Sequence, residues 1–438
     1  MTNGYTACKS MTGAPKAFRA AGWCHTIKKG IRHGAQAPIR CVMTKNRLTV
    51  LQLYFLSFSY LYGDMLLGIR AYRAGNAAWL AALLGSALGV LYLALLRSIL
   101  TGHKDLPELL RKTVGVIPQK IICLLLLITF LLVLSKSLAG FGGFWHTVSI
   151  PTVQPLWFAA ALLFTAYFAC SKGLTVIGRF SEVLAFIMIP LVLILLLTFA
   201  SAELRFPLSI QPEAANAAKA LSEGVFLTLL SPFADAAAFL FLIGSTVSKH
   251  DTDATKAAAA SASGTDESFP FIASIRPKKD PILAALLWGG GTAGFFLTCT
   301  VIRDQTAIGT ALLSRLPYPA DFTAQLVSGI NIEPFTDLLL SFAYALKASV
   351  LLYASAQALK ACTGWSTRTA NTIPVLCCLP LLLVITRSKQ SILHAQCSTF
   401  FVLFAVLFEI ILPIFLLFLK KAKKPFDKET KRKYNRKE

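Results

Sequence analysis

Apolar residues occur along this chain in long runs, and short polar segments separate one run from the next. The runs are about 20 residues long, the length that crosses the hydrocarbon core of a bilayer as an α-helix. The pattern therefore predicts an all-α polytopic membrane protein with about ten transmembrane helices. The predicted spans are roughly 50–71, 77–97, 119–141, 153–171, 176–200, 222–244, 282–302, 334–359, 373–386 and 397–419. The ninth is the shortest of them.

The charges between the runs predict the orientation of the chain. Lys and Arg are concentrated in the two tails and after predicted spans 2 and 4, whereas the segment after predicted span 5 carries Glu203 and Glu213. Cytoplasmic loops of membrane proteins carry an excess of Lys and Arg. Both termini are therefore expected in the cytoplasm, which requires an even number of spans. Arg387 and Lys389, after predicted span 9, do not fit this pattern.

The segments outside the spans have compositions of their own. Residues 1–44 are predicted to be a basic, disordered tail without an apolar core of signal-peptide length, and Met43 would be a normal start for the membrane domain, 45–420. Residues 246–281 are rich in Ala, Ser and charge and are predicted to be a flexible cytoplasmic insert. The loop 303–333 contains TAIGTALLSRLP, which predicts an amphipathic helix at the outer mouth, and 421–438 is a basic cytoplasmic tail.

Composition supports the membrane class and excludes others. Hydrophobic residues make up 55% of the 438 positions and charged residues 15%, which leaves too few polar groups to cover a soluble protein of this length. The net charge of +22 is also typical of nucleic-acid binding. Its concentration in tails and alternate loops favours contact with anionic membrane lipid instead, so no nucleic-acid partner is expected.

The motifs of soluble enzymes are missing from the sequence. The ten cysteines form no CxxC pair, and no group of His and Cys has the spacing of a metal site. There is no P-loop. The glycines of GGGTAG (Gly289 to Gly294) lie inside an apolar run, where close helix packing explains them. The sequence therefore predicts a protein that is not an enzyme and that holds neither a metal nor another cofactor.

Two acids interrupt the apolar runs beside residues that weaken helices. Asp64 lies between Gly63 and Gly68 in predicted span 1, and Asp235 follows Pro232 in predicted span 6. Glycine and proline favour a local break in a helix, and a charge at mid-membrane costs at least about 2.5–3.5 kcal/mol. These spans begin two sets of five, a pattern typical of transporters built from inverted repeats, whose broken helices bind substrate. The alternative is that both helices only kink and that each Asp bonds a neighbour.

Two further charges within the runs are candidates for coupling to an ion or a proton. Lys347, in predicted span 8, needs a partner, which Asp64 or Asp337 can supply. It is either half of a structural ion pair, or a cation standing where a transporter holds Na⁺, or a group that exchanges a proton with an acid. Glu182 follows Arg179 at helical spacing, which favours an ion pair at the interface over a proton relay.

Two other in-span charges have simpler interpretations. Lys136 lies near the end of predicted span 3, from where its side chain can extend to the interface. Glu409, in predicted span 10 just before Pro413, has no evident partner, so the sequence leaves its role open.

Four segments, in order along the chain, resemble one known family. They are TVLQLYFLSFSYLYGD, AGNAAWLAALLG (Ala74 to Gly85), GLTVIGRFSEVL (Gly173 to Leu184) and NIEPFTDLLLSFAYALKASVLLYA (Asn331 to Ala354). From about Met43 to Leu419 the chain resembles the spore-germination permeases, the B subunits of nutrient germinant receptors, in the amino acid–polyamine–organocation transporter superfamily. It departs from them in GIRAYRAG after the first break, in Phe335 where the family often has Arg, and in the 246–281 insert.

The resemblance implies ten spans in an inverted five-plus-five repeat, the LeuT-like fold, with helices 1 and 6 broken and an outer helix between spans 7 and 8. It also implies a ligand site between spans 1, 3, 6 and 8, where an amino-acid carboxylate meets backbone N–H groups at broken helix ends. The expected ligand-binding residues are Tyr62, Gly63, Asp64, Gly68, Ser231, Pro232 and Asp235. The residues expected in an ion pair or in ion or proton coupling are Asp64, Asp337, Lys347 and Glu182.

Three functions are compatible with this sequence. The resemblance implies a receptor subunit of the spore inner membrane that binds a small germinant, such as an amino acid, and works with A-type and C-type partner subunits to trigger germination. The alternative is a proton-coupled amino-acid transporter acting alone. The third is a structural subunit that binds no ligand. The first two need the same pocket, so the sequence does not separate them.

Overall fold

The computed structural model describes residues 47–101, 103, 105–197, 217–246, 280–313, 316, 318–325, 333–387 and 399–420. The chain divides into the units Met1–Thr44 and Lys45–Glu438, and all described residues belong to the second. The tails 1–44 and 421–438 and nearly all of the 246–281 insert lie outside the described residues. What the sequence predicts for them stays a prediction.

Ten helices among the described residues are long and apolar enough to cross a membrane, as the sequence predicts. They are span 1 (Val50–Leu67), span 2 (Arg70–Leu100), span 3 (Val116–Val148), span 4 (Pro155–Lys172), span 5 (Leu174–Ile194), span 6 (Ala218–Phe241), span 7 (Pro281–Ile308), span 8 (Glu333–Thr363), span 9 (Thr367–Ile385) and span 10 (Phe401–Lys420). Span 9 is longer than predicted because Ser366 caps its N-terminus upstream of the apolar run, where the Ser366 hydroxyl accepts from the Thr369 N–H.

Span 1 begins at a capping box and ends at Gly68. The Thr49 hydroxyl accepts from the Gln52 N–H, and the Gln52 side-chain carbonyl accepts from the Thr49 N–H, each at 3.1 Å. The helix continues without interruption through Gly63 and Asp64. At Gly68 the backbone becomes extended (φ −174°, ψ 122°), and a 3₁₀ stretch, Arg70–Ala77, follows. The predicted break therefore falls after Leu67, on the C-terminal side of Asp64.

Span 6 is broken at the predicted proline. An α-helix, Ala217–Thr228, leads into a π-helical turn, Leu229–Phe233. Within that turn Ser231 is extended (φ −139°, ψ 116°) and precedes Pro232. A 3₁₀ helix, Ala234–Phe241, continues the span. Proline has no N–H to donate and clashes with the preceding turn, which accounts for the position of the break.

Equivalent helices of the two five-span sets pack against each other. Span 2 packs against span 7, span 3 against span 8, and span 1 against the turn Leu229–Phe233 of span 6. A two-fold relation between repeats brings equivalent elements together near its axis. This arrangement agrees with the inverted five-plus-five repeat and places both helix breaks in the centre of the bundle.

Glycines allow the central helices to approach closely. A Cβ added at Gly63 would lie 2.5 Å from the Cβ of Ala343, so spans 1 and 8 meet there backbone to backbone. In span 7, a Cβ on Gly289 would lie 2.7 Å from the Cβ of Ser57 in span 1. The packing role expected for the GGGTAG glycines is therefore seen at Gly289.

The segment after span 7 is divided differently from the sequence pattern. Span 7 continues to Ile308, beyond its predicted end near 302, and stops at Gly309, whose φ of 83° suits glycine. Short helices at Thr310–Leu313 and Pro319–Gln325 follow. TAIGTALLSRLP thus contributes its first residues to the end of span 7, so the structure does not form one separate helix over this stretch.

Candidate functional site: a buried lysine between two broken helices

Lys347 joins the two broken helices through a pair of carboxylates. Its Nζ lies 2.6 Å from Oδ1 of Asp64 in span 1 and 2.6 Å from Oδ2 of Asp235 in span 6. The side chains are 1% exposed for Lys347, 10% for Asp64 and 2% for Asp235. Charges this deeply buried are stable only when they are paired and hydrogen-bonded. These three residues, called the triad below, form such a set.

Hydroxyl groups complete the bonding of the triad. The Ser231 hydroxyl donates to Oδ2 of Asp64 at 2.7 Å, and the Tyr344 hydroxyl donates to Oδ1 at 3.1 Å. The Tyr60 hydroxyl donates to the main-chain carbonyl of Asp235 at 3.0 Å. Ser231 is the extended residue of the span 6 break, so that break contacts Asp64 directly.

The triad answers the question that Lys347 raised in the sequence. Lys347 pairs with Asp64, one of the two partners that the sequence offered. It also pairs with Asp235, but it does not pair with Asp337. Two carboxylates and one ammonium leave the triad with a net charge of −1. The lysine ammonium thus connects span 1 and span 6, the two broken helices, through one carboxylate from each.

A cavity of about 260 Å³ opens beside the triad. Drug-sized ligand pockets measure roughly 300–1,000 Å³, so this volume suits a small metabolite. Its lining combines the residues at both breaks with span 3 and span 8, and it includes Asp64, Gly68, Arg70, Lys136, Ser137, Ser231 and Tyr344. The cavity is therefore polar on the side of the triad and lies at the junction of spans 1, 3, 6 and 8.

Three cations line this cavity, and one of them, Arg73, pairs with Glu223 at 2.8 Å. Lys136 lines it, in contrast to the expectation that its side chain extends to the interface, and Arg70 lines it just after the span 1 break. Lys136 lies within electrostatic range of Arg70, Asp64, Asp235 and Lys347. Within the described ranges neither Lys136 nor Arg70 forms a salt bridge. Together with the triad they give the cavity region an excess of one positive charge.

The structure brings together some of the predicted ligand-binding residues. Asp64, Gly68 and Ser231 line the cavity. Pro232 and Asp235, which follow Ser231 along span 6, are not among the residues that line it. Gly63 faces Ala343 of span 8 instead of the cavity.

Tyr62 lies in a separate place. Its hydroxyl shares a hydrogen bond of 3.2 Å with Thr300, and its ring stacks on Phe58 with centroids 5.9 Å apart. It lines a second cavity of only about 20 Å³, together with Arg303 and Asp337. The prediction that Tyr62 touches a ligand in the main cavity is therefore not supported by its position.

The other two predicted coupling residues also stand apart from the triad. Asp337, at the start of span 8, accepts from the Ser149 hydroxyl at 3.4 Å. Glu182, in span 5, forms no salt bridge with Arg179 or with any other residue that the structure describes. Neither residue contacts Lys347.

Asp337 belongs to a group of three acids near the second cavity. Carboxylate oxygens of Asp321, Glu333 and Asp337 lie within 4.8 Å of one another. Partial burial and the neighbouring carboxylates of Asp337 and Glu333 raise the pKa of Asp321 to about 7. Arg303 lines the same cavity and pairs with Asp304 at 2.5 Å.

Several residues of these sites were not singled out from the sequence. Tyr344 precedes Lys347 by one helical turn, so helical spacing could have placed it on the same face. Arg70 lies two residues after Gly68, so its closeness to the predicted helix break could have identified it from the sequence. Nothing in the local sequence could have identified Tyr60, because its hydrogen-bond partner Asp235 is 175 residues away.

Known proteins resemble this chain in sequence and in fold. A family model described as "Spore germination protein" matches residues 47–269. Spore germination protein KB of Bacillus subtilis (strain 168) is 22% identical over 340 residues, which cover 67% of this chain and 90% of that protein.

Two solved structures share the fold. MhsT in complex with L-phenylalanine has a TM-score of 0.53 and 15% identity, over 86% of this chain and 98% of that chain. Mhp1, a nucleobase-cation-symport-1 family transporter, in a closed conformation with bromovinylhydantoin bound, has a TM-score of 0.50 and 12% identity, over 77% of this chain and 72% of that chain. At such low identity they show the fold alone, which is the LeuT-like fold expected from the sequence.

Proposed function

Since the chain belongs to the spore germination protein family, we propose that it is a germinant-receptor subunit that binds a small nutrient, an amino acid or a close relative, and thereby triggers germination. The observation that supports this most directly is the cavity of about 260 Å³ at the two helix breaks. Broken helices at mid-membrane are the substrate sites of transporters with this architecture.

The charges around the cavity suggest how an amino acid would bind. Its carboxylate would contact Lys136 and Arg70, the two lining cations that form no salt bridge among the described residues. The ammonium group of the amino acid would lie beside Asp64. This carboxylate is paired with Lys347, but 10% of its side chain remains exposed. This assignment differs from the expectation that the family resemblance implies, in which backbone N–H groups at the broken helix ends hold the carboxylate.

Binding in the cavity would act on the breaks of both helices. A ligand shifts a conformational equilibrium only by its difference in affinity for the two states. A nutrient that contacts Gly68 in span 1 and Ser231 in span 6 bridges both breaks, so any movement of one relative to the other changes its contacts. In the proposed receptor, A-type and C-type partner subunits in the spore inner membrane would respond to that movement, and both termini would lie in the cytoplasm.

Transport without partner subunits is the second candidate. It is favoured by Lys347, which pairs with an acid from each break and could exchange a proton with either of them. In this case the same cavity would open to each side of the membrane in turn.

Binding and uptake in proteoliposomes distinguish these candidates. The probe is a labelled mixture of the twenty standard amino acids, applied with and without a proton gradient to wild type and Asp64→Asn. The receptor proposal predicts saturable binding without accumulation, and a loss of binding in the variant. Gradient-driven accumulation would identify a symporter, and absence of binding by folded wild-type protein would contradict both.

A further inference from the structure

Glu409 is a buried carboxyl group that the site described above does not use. It lies in span 10 and is 0% exposed. Over the part of the chain that the structure describes, neither Oε1 nor Oε2 has a hydrogen-bond partner. The helix forms a π-helical turn at Val406–Ile411 around this residue, and such turns are frequent at functional sites.

The groups around Glu409 come from several helices of the bundle. Its turn packs against the second half of span 6 and against span 3. The titratable and charged groups within electrostatic range are Asp235, Lys136, Lys347, Arg70, Tyr60 and Tyr92. The Tyr92 hydroxyl donates to the main-chain carbonyl of Glu409, so it is not donated to the carboxyl group.

An ionised carboxylate is poorly solvated in this position. Without a hydrogen-bond donor, a buried carboxylate costs far more free energy than the neutral carboxyl does. Asp235 is negatively charged and adds repulsion. The ammonium group of Lys347 is already paired at 2.6 Å with two other carboxylates, those of Asp64 and Asp235. The neutral form of Glu409, which carries a proton, fits these surroundings better than the ionised form.

Lys136 supplies a counter-charge for the other form. It lines the cavity, and it is one of the cations that act on Glu409. With Glu409 neutral, the triad, Lys136 and Arg70 carry a net charge of +1, whereas an ionised Glu409 would cancel that excess. The protonation of Glu409 and the charge that the cavity presents are therefore linked.

We propose that Glu409 is a proton-binding site: it holds a proton in the conformation seen here, and it passes that proton to water when Lys136 can compensate the carboxylate. The proton leaves the carboxyl oxygen, and no other bond is formed or broken. This proposal does not depend on which nutrient binds, because it concerns Glu409 and the charges around the cavity.

Infrared spectroscopy of the full chain in lipid tests the protonation state. The carbonyl stretch of a protonated carboxyl is separate from the carboxylate bands, and ¹³C-labelled glutamate distinguishes Glu from Asp without a mutation. The expected result at neutral pH is a protonated-glutamate band in wild type that is lost in Glu409→Gln and kept in Glu108→Gln, a control at an exposed pair with Lys112 away from the cavity. Wild-type protein without this band, or a band that Glu409→Gln leaves intact, would overturn the proposal.

The pH dependence of the same band tests the link to the cavity. Lys136→Gln removes the proposed counter-charge, so the band should persist to higher pH than in wild type. Lys172→Gln, an exposed lysine at the end of span 4, should titrate as wild type does. Identical titration of the wild type and Lys136→Gln would overturn the link and leave Glu409 as a group isolated from the cavity.

Discussion

At the scale of single residues, Lys347 matters most because it is the one cation that both acids of the triad contact. Its Nζ is 2.6 Å from each carboxylate, and its side chain is 1% exposed. Removing one member of a buried ion pair leaves an uncompensated charge, whereas removing one of two acids leaves a balanced pair. The three members of the triad should therefore respond differently to substitution.

Lys347→Met should destabilise the protein more than Asp64→Asn or Asp235→Asn. Loss of the lysine leaves two buried carboxylates, each 2.6 Å from the former Nζ position, without that counter-charge. Breaking a buried pair in this way costs roughly 3–5 kcal/mol. Each Asn variant keeps one carboxylate on Lys347. Thermal unfolding in detergent micelles measures the difference, with Lys172→Met at an exposed site as the control. An Asn variant that unfolds as early as Lys347→Met would contradict the role given to the lysine.

Asp321, which lies outside the spans, should make the stability of the protein depend on pH. Its pKa is raised from 3.8 to about 7 in the folded chain, so the folded state keeps a proton that the unfolded state has lost. The contribution of Asp321 is complete below about pH 4 and is lost as pH rises through 7. The unfolding temperature of wild type should therefore fall over this window relative to Asp321→Asn. Glu108→Gln, at an exposed pair with Lys112, should keep the wild-type profile, and an equal fall in Asp321→Asn would refute the assignment.

At the scale of elements, the two breaks have different local causes. The span 6 break follows from Pro232, and the sequence predicts its position. The span 1 break lies at Gly68, where the backbone is extended and a Cβ would meet nothing within 4 Å. Glycine at 68 is thus not required by crowding, whereas Gly63, inside the regular helix, is required by its contact with span 8.

Gly63→Ala should destabilise the contact between spans 1 and 8. The new Cβ would lie 2.5 Å from Ala343, which forces the helices apart even though alanine favours a helix by about 1 kcal/mol over glycine. Gly291→Ala, in span 7, is the matched control because its Cβ would meet nothing within 4 Å. The first variant should unfold at a lower temperature than wild type and the second should not. Equal behaviour of the two would show that spans 1 and 8 can separate at little cost.

The helices and the site differ in how far sequence predicts them. Hydrophobic runs fix the number of spans because each must cover the bilayer thickness, and Pro232 fixes one break. The triad was only partly predictable, since Asp64 and Lys347 are 283 residues apart and Asp235 and Lys347 are 112 apart. Depth in the membrane indicates that Lys347 needs an acid. Only the packing of spans 1, 6 and 8 determines which acids Lys347 contacts. Asp337 does not contact Lys347, although both residues belong to span 8.

At the scale of the whole molecule, the inverted repeat places both breaks, the triad and the cavity together. Equivalent helices 2 and 7, and 3 and 8, pack in pairs around them. The triad carries a net negative charge. Lys136 and Arg70 in the cavity lining more than compensate it, and the third lining cation, Arg73, is paired with Glu223. The cavity is therefore suited to a small ligand that carries a carboxylate, which is the central claim of the proposed function.

Blocking the cavity without changing its charge tests this claim most directly. Ser137 is a small residue of span 3 that lines the cavity, and Ser137→Phe should fill part of it. Ser171→Phe, at an exposed position near the end of span 4, is the control. Equilibrium binding of the labelled amino-acid mixture to purified protein in lipid should be lost in Ser137→Phe and kept in Ser171→Phe. Unchanged binding in a folded Ser137→Phe protein would contradict the account, because the nutrient would then bind elsewhere.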